Sequence, residues 1–371
     1  MGVGCSASTI SGLNFIAIWR LIFKRKILSD NWRFVSNKNF NGFSCLMNII
    51  YMDYTVVIRT LGTAGKYYQR TLDSLKLQTV QPDTVIVYIA EGYLIPKETI
   101  GSEQYVHVKK GMVAQRALPY DEVKTGYCLF LDDDVYLPPN AVEKMYNELV
   151  QNHAQVISPC TFANHKVTWK SKVKSSLLGK EVCRLWGTSW GFKVLRTAGF
   201  SYNNKPTKQV YESQSNAGPC FFCRKNDFLK ITFQEELWLD DAPYAFPEDQ
   251  VMFYKMYKKG LKVLTSFDTG VIHLDAGTTM SVSPKRGCKL IFSEYRNKLI
   301  FWHRFIYLPE RCFLLRVWAA IAIGYVYLIQ TLNFLIKYFL GKRDEAKAFF
   351  GGVKDALAFL KSQEYKELPR I

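Results

Sequence analysis

Acid is scarce in this chain: 32 Asp and Glu stand against 49 Lys and Arg, a formal charge of +17 over 371 residues. Such an imbalance calls for an anionic partner, be it a membrane surface, nucleic acid or a phosphorylated substrate. Zinc-ligand spacing is also missing. Cys220-Phe221-Phe222-Cys223 is the one close cysteine pair, and no second pair answers it. With no zinc pattern and no helix bearing a dense Lys/Arg stripe, nucleic acid is set aside as a partner. The cysteines are nine, an odd number, scattered from Cys5 to Cys312. Cys220 and Cys223 lie in an apolar run that reads as a strand, so they are expected in the core of a protein from a reducing compartment. No small-residue cleavage site follows the apolar stretch Ile16–Phe23, which is too short to span a bilayer. Met1-Gly2 with Ser6 fits the short myristoylation pattern. Residues 1–50 read as an extension: a surface helix, or sequence upstream of a start at Met47 or Met52. Wholesale disorder is excluded, because 48% of residues are hydrophobic and 15% aromatic.

From Thr55 the pattern becomes regular. Thr55–Ile58, Thr84–Ile89, Tyr105–Val108, Tyr127–Leu131 and Gln155–Ile157 are short apolar runs that read as buried strands. Helical spacing covers Lys66–Gln78, Met112–Val123 and Pro139–Val150 between them. Strands alternating with helices of this length predict an α/β fold around a mostly parallel sheet. Residues 163–212 break the rhythm. They are rich in Lys, Arg, Ser, Asn and Trp, including Lys166, Trp169, Lys170, Lys172, Lys174, Lys180, Arg184, Trp186 and Trp190. They read either as a solvated insertion or as a substrate-covering segment. Gly218–Arg224 resumes as a strand, Glu248–Lys259 as a helix, and Leu261–Leu264 and Gly270–Leu274 as closing strands.

Carboxylates carry the chemical signal. Asp132-Asp133-Asp134 follows directly on the apolar run ending at Leu131. The C-terminal ends of strands are where open α/β sheets bind ligands. On extended backbone Asp132 and Asp134 would point the same way and Asp133 the other. Two converging carboxylates repel unless a cation lies between them, and a hard divalent ion carrying a phosphorylated ligand is the natural candidate. A second pair, Glu248-Asp249, follows Pro247 at a helix start, where acids suit the helix dipole and can present a base. Asp240-Asp241 lies upstream on a loop, where it reads as solvated surface or as a contact for acceptor hydroxyls.

In order and spacing these segments resemble family 2 glycosyltransferases with the GT-A fold. The resemblance runs from about Thr55 to His273. It is carried by Val56–Thr60, by Tyr68–Thr79 with its Ser-Leu and Gln-Thr landmarks, by Gly111–Arg116, by Leu131–Asp134 in place of Asp-x-Asp, and by Pro247-Glu248-Asp249. Gly260-Leu261 and Val271-Ile272-His273 complete it. The resemblance implies a Rossmann-like nucleotide-binding half (53–160) fused to an acceptor half (161–280) within a catalytic domain of residues 51–280. It implies a nucleoside-diphosphate sugar as donor and Mn²⁺ or Mg²⁺ held by Asp134, Asp132 and His273. Thr60, Glu91, Arg116, Asp132 and Asp133 would lie along the donor, Asp249 would be the base, and Glu248 would orient the acceptor or tune Asp249. One base opposite the leaving group implies inversion by direct displacement. Two departures bear on the donor: Ala90-Glu91-Gly92 stands where the family has Asp-Asp-Gly, and Arg59 where it has Pro. No Gln-x-x-Arg-Trp follows Asp249, which implies single addition rather than processive synthesis.

Residues 281–371 form a helical extension. Val317–Ile336 is twenty residues long and uncharged, and an amphipathic stretch follows with Ala346, Phe349, Phe350, Val353, Leu357 and Leu360 on one face. A basic amphipathic helix beside an apolar one reads as membrane attachment, in the interface or across the bilayer. The alternative is a helical pair packed on the protein's own core. This tail also resembles the helical tails of bacterial sugar transferases acting on lipid-linked glycans, a resemblance that implies a lipid-linked glycan acceptor at the cytoplasmic face of the cell membrane. Two rivals are a catalytically inactive GT-A-like scaffold subunit and a metal-dependent prenyl-diphosphate enzyme. The second is disfavoured because its acidic clusters lie on helices of all-α folds.

Overall fold

The computed structural model describes residues 52–161, 168–177, 181–183, 189–274 and 284–371. Expectations for residues 1–50, and for Lys166, Lys180, Arg184 and Trp186, lie outside the described residues. Eight strands form the central sheet: β1 (Tyr54–Thr60), β2 (Thr84–Ala90), β3 (Glu103–Val108), β4 (Tyr127–Asp132), β6 (Val156–Pro159), β10 (Val210–Ser213), β11 (Cys220–Arg224) and β12 (Val263–Ser266). Their order is β10-β12-β6-β11-β4-β1-β2-β3. β1 pairs in parallel with β2 and β4, β2 with β3, and β6 with β12, while β11 runs antiparallel between β4 and β6. A mostly parallel sheet in an α/β fold is therefore what the chain adopts.

The sheet is buried on both faces, which is why its strands read as continuous apolar runs. Val57, Phe130 and Phe221 enter one core, while Val56, Ile58, Leu129, Leu131 and Phe222 enter the other. Helices α1 (Lys66–Lys76) and α2 (Ala141–Gln151) cover the second face through Tyr68, Leu72, Val142 and Met145. The first face is covered by α5 (Glu248–Lys258), by a 3-10 segment (Phe233–Leu239), and by α6 (Pro284–Phe301) with its π-helical continuation (Trp302–Tyr307).

Two regions depart from the sequence reading. The helix expected over Met112–Val123 is only a few turns. Pro119 and the left-handed Tyr120 (φ 53°) stop it, and its first N–H groups are taken by a distant side chain described below. In the aperiodic stretch, α3 (Trp169–Leu177) precedes a small sheet of β7 (Glu181–Cys183), β8 (Phe192–Val194) and β9 (Phe200–Tyr202). Strands of three residues are too short for an alternating pattern to register in sequence. A further short pair joins β5 (Val135–Tyr136) to β13 (Ile272–His273), and α4 (Lys225–Leu229) follows β11.

The C-terminal helices are α7 (Phe313–Phe339), α8 (Arg343–Phe359) and α9 (Gln363–Glu367). They share a core with the sheet domain: Ala319, Ile323, Ala356, Phe359 and Tyr365 pack in the cluster that holds Phe221 and Phe253. Gly352 explains the glycine pair inside α8, since a Cβ there would stand 2.4 Å from the Phe292 carbonyl oxygen of α6. Only glycine permits that approach. A buried ion network fastens the same region. Glu236 accepts from Lys255 Nζ (2.8 Å), from Arg304 Nε (2.9 Å) and Nη2 (2.9 Å), and from Trp238 Nε1 (2.7 Å). Arg304 Nη1 also donates to the Pro369 carbonyl at 2.8 Å, tying the end of the chain to α5 through Glu236.

Candidate active site

Strand register builds the site. β1 and β4 pair so that Arg59 lies beside Asp132 at the C-terminal edge of the sheet. Arg59 grips Asp132 with two prongs, Nε to Oδ1 at 2.6 Å and Nη2 to Oδ2 at 3.2 Å. Two-pronged guanidinium–carboxylate bonds fix orientation as well as charge. Arg116 comes from the Gly111–Ala117 turns. Its Nη2 donates to the Gly218 carbonyl (2.9 Å) and lies 3.7 Å from Asp132 Oδ1. Glu248 at the start of α5 lies 3.5 Å from both guanidinium groups. Its neighbour Asp249 accepts the Gly218 N–H (2.9 Å) and the Gln250 N–H (2.8 Å). Two arginines and three carboxylates thus meet where β1, β4, the 111–117 turns and α5 converge.

The charges are tuned by one another. Burial opposes ionisation of Asp132, but Arg59 and then Arg116 outweigh it and hold the carboxyl below its usual range. Burial and repulsion by Asp249 push the Glu248 carboxyl up. Arg116 is pulled down by burial and by the neighbouring charge of Arg59. Arg116 Nη1 is buried without a hydrogen-bond acceptor among the described residues. Its nearest anion is Glu248 Oε1, at 3.5 Å.

The triplet divides differently from the sequence expectation. β4 ends at Asp132, and the chain turns through Asp133 and Asp134 before β5. Extended alternation therefore does not carry through Asp133, and Asp134 stands directly before the next strand, where it meets His273. Asp132 is taken by the arginines. Asp133 accepts from the Thr60 hydroxyl, and burial pushes its carboxyl up to about 6 against that bond. Asp134 Oδ1 lies 3.0 Å from His273 Nε2, because β5 pairs with β13 in a register that sets Val135 opposite His273. The expected three-ligand set of Asp132, Asp134 and His273 is not assembled: among the described residues no group of three His, Cys, Asp or Glu converges. The carboxylate–imidazole pair of Asp134 and His273 still suits a divalent ion that takes its remaining ligands from phosphate oxygens. Glu91 lies exposed in the turn after β2, on the same edge of the sheet.

One residue here was missed in the sequence, and another was read for a different role. Gly218 has no room for a side chain: a Cβ would stand 2.5 Å from Asp249 Cβ and 2.6 Å from Arg116 Nη2. The Gly218-Pro219 pair before a strand was its only local signal. Asp240 accepts the backbone N–H of Val113 (3.0 Å to Oδ1) and of Ala114 (2.8 Å to Oδ2), capping the turns that carry Arg116. These contacts give it the role of a cap, which the sequence reading did not anticipate. Asp241 lies 3.7 Å from Arg296. Cys220 and Cys223 are buried core thiols, raised by burial as the strand reading expects.

Residues 104–228 match the family model Glycosyl transferase family 2. Over that segment the chain is similar to glycosyl transferase family 2. The match runs from β3 through the Asp triplet to α4, and it supports a glycosyltransferase as the enzyme class. A solved structure described as "Crystal structure of GalNAc-T7 with UDP, GalNAc and Mn2+" is similar at 13% identity, with a TM-score of 0.44. The likeness covers 69% of this chain and 48% of that one, so the chain spans about half the length of the structure it matches. No curated protein matches the chain.

Proposed function

We propose that the chain transfers a sugar from a nucleoside-diphosphate sugar to an acceptor hydroxyl, by inverting displacement. The observation that carries this reading is the junction at the end of β4. Arg59, Arg116, Asp132, Glu248 and Asp249 meet there, with Arg116 Nη1 buried and unsatisfied. Arg116, with Arg59, sets positive charge at this junction against the donor diphosphate. Asp133 and Thr60, bonded to each other, and Glu91 flank the nucleotide side. Asp134 and His273 would hold Mn²⁺ or Mg²⁺, which when bound would neutralise charge on the leaving diphosphate. Asp249 takes the acceptor proton as the hydroxyl attacks the anomeric carbon. Its two backbone N–H bonds fix the carboxylate and leave lone pairs for that proton. A positioned base of this kind is worth roughly 10²- to 10⁴-fold in rate. Glu248, pushed toward its neutral form, orients the acceptor beside it.

The acceptor we infer is a lipid-linked glycan, extended by single additions at the cytoplasmic face of a membrane in cell-surface polysaccharide synthesis. The excess of 49 basic over 32 acidic residues and the apolar α7 support it. The test is a panel of nucleotide sugars with Mn²⁺ or Mg²⁺, read by nucleoside diphosphate release. Transfer or hydrolysis of one donor is the expected result. Silence across the panel, with no thermal shift from any nucleoside diphosphate, would leave the inactive scaffold as the reading.

A further inference from the structure

The outward face of α7 has no role in the chemistry above, and its composition is extreme. The helix has 27 residues and is about 40 Å long. One face is packed inward over nearly its whole length by Ala319, Ile323, Val326, Gln330 and Phe334. The opposite face shows Leu314, Trp318, Ile321, Leu328, Leu335 and Phe339 at helical spacing, exposed between 39% and 83%. Charged side chains are absent from that outward stripe. An apolar face of this extent on a protein surface marks an interaction site.

α3 extends the same surface. Trp169, Val173 and Leu177 recur every fourth residue and are exposed, and Tyr325 Oη of α7 donates to the Leu177 carbonyl at 3.1 Å. A groove of about 360 Å³ runs between the two helices, lined by these three residues with Lys170, Lys174 and Asn333. Lys170 and Lys174 are exposed beside the apolar ridge, and Arg311, Lys342 and Arg343 are exposed around the two ends of α7. Apolar centre and cationic rim together complement an anionic lipid surface.

We propose that α7 and α3 form one face that lies flat in the interface of an anionic bilayer leaflet, with no helix crossing. A crossing helix would carry its packed neighbours into hydrocarbon. α8, which shares the core with α7, exposes Lys347 and Lys354, and such charges do not enter lipid. This deepens the membrane part of the proposed function and does not depend on the sugar-transfer step.

The experiment uses the full chain with vesicles of phosphatidylcholine alone and of phosphatidylcholine mixed with phosphatidylglycerol, read by flotation. Tight binding to the anionic vesicles is expected, with Lys170→Gln/Lys174→Gln weakening it roughly 30-fold. Leu314→Glu, Leu328→Glu and Phe339→Glu should each weaken it at least about tenfold, because a flat helix immerses its ends as well as its middle. These side chains point outward, so circular dichroism and nucleoside diphosphate binding should stay unchanged. Sensitivity confined to Leu328, with tolerance at Leu314 and Phe339, would mean a crossing helix and overturn the proposal. Equal binding to both vesicle types would overturn it too, as would a dimer in buffer that the Leu328→Glu change dissolves without any vesicle binding. Lost vesicle binding with donor turnover intact rejects this inference alone, and lost turnover with intact vesicle binding rejects the transfer reading alone.

Discussion

Replacing Asp249 by Asn separates the base role from every other role the residue has. The native carboxylate accepts two backbone N–H groups, from Gly218 at 2.9 Å and Gln250 at 2.8 Å. Asn offers one carbonyl oxygen, so one of those donors faces an amide N–H₂ and loses its acceptor. An orphaned donor costs about 1–3 kcal/mol. At about 2 °C per kcal/mol for a domain of this size, the melting temperature should fall by about 2–6 °C. Loss of the proton acceptor should slow transfer by about 10²- to 10⁴-fold, or roughly 3–5 kcal/mol of barrier. Single-turnover release of nucleoside diphosphate measures the rate, and calorimetric titration of the nucleoside diphosphate measures donor affinity. Affinity should change by less than about threefold, since Arg116 keeps its bond to the Gly218 carbonyl. Transfer within tenfold of wild type would remove Asp249 from the base role. A slow variant that has also lost donor affinity would mean that Asp249 acts by holding Gly218 and Arg116 in place.

Gly218→Ala should cut turnover by about 10²-fold in the same rate assay, because a Cβ 2.6 Å from Arg116 Nη2 displaces that guanidinium and misplacements near 1 Å cost that much. Lys255→Met leaves Glu236 buried with one cationic partner fewer, and calorimetry should show a loss of about 3–5 kcal/mol in stability with the donor site intact. Deleting residues 309–371 should give an insoluble chain rather than a free catalytic domain, as a solubility and circular dichroism comparison would show. It strips Ala319, Ile323, Ala356, Phe359 and Tyr365 from the core that also holds Phe253 of α5.

The central strands were legible because burial on both faces writes a continuous apolar run into sequence, as in Thr84–Ala90 and Tyr127–Leu131. The carboxylates of the site stood out for the same reason: charges directly after such runs, at Asp132–Asp134, or at a helix start, at Glu248-Asp249, have few structural excuses. Residues 112–123 misled because their apolar spacing imitates a helix, while Pro119 and the left-handed Tyr120 end the turns after residue 117, and the cap on their first N–H groups comes from Asp240, 126 residues away. No local pattern encodes that cap. The small sheet of β7, β8 and β9 was hidden by strands too short to show a period.

By itself, then, the sequence determined the α/β class, the glycosyltransferase resemblance that the family match supports over residues 104–228, and where carboxylates follow strand ends and helix starts. Each of those depends on near neighbours in the chain or on side-chain type. Tertiary structure alone decided which partners they take. β1–β4 register hands Asp132 to Arg59, β5–β13 pairing hands Asp134 to His273, and the Gly218 backbone joins Asp249 to Arg116. It also decided that α7 packs one face on the domain and leaves the other bare, since apolarity alone cannot say which neighbour a helix buries itself against.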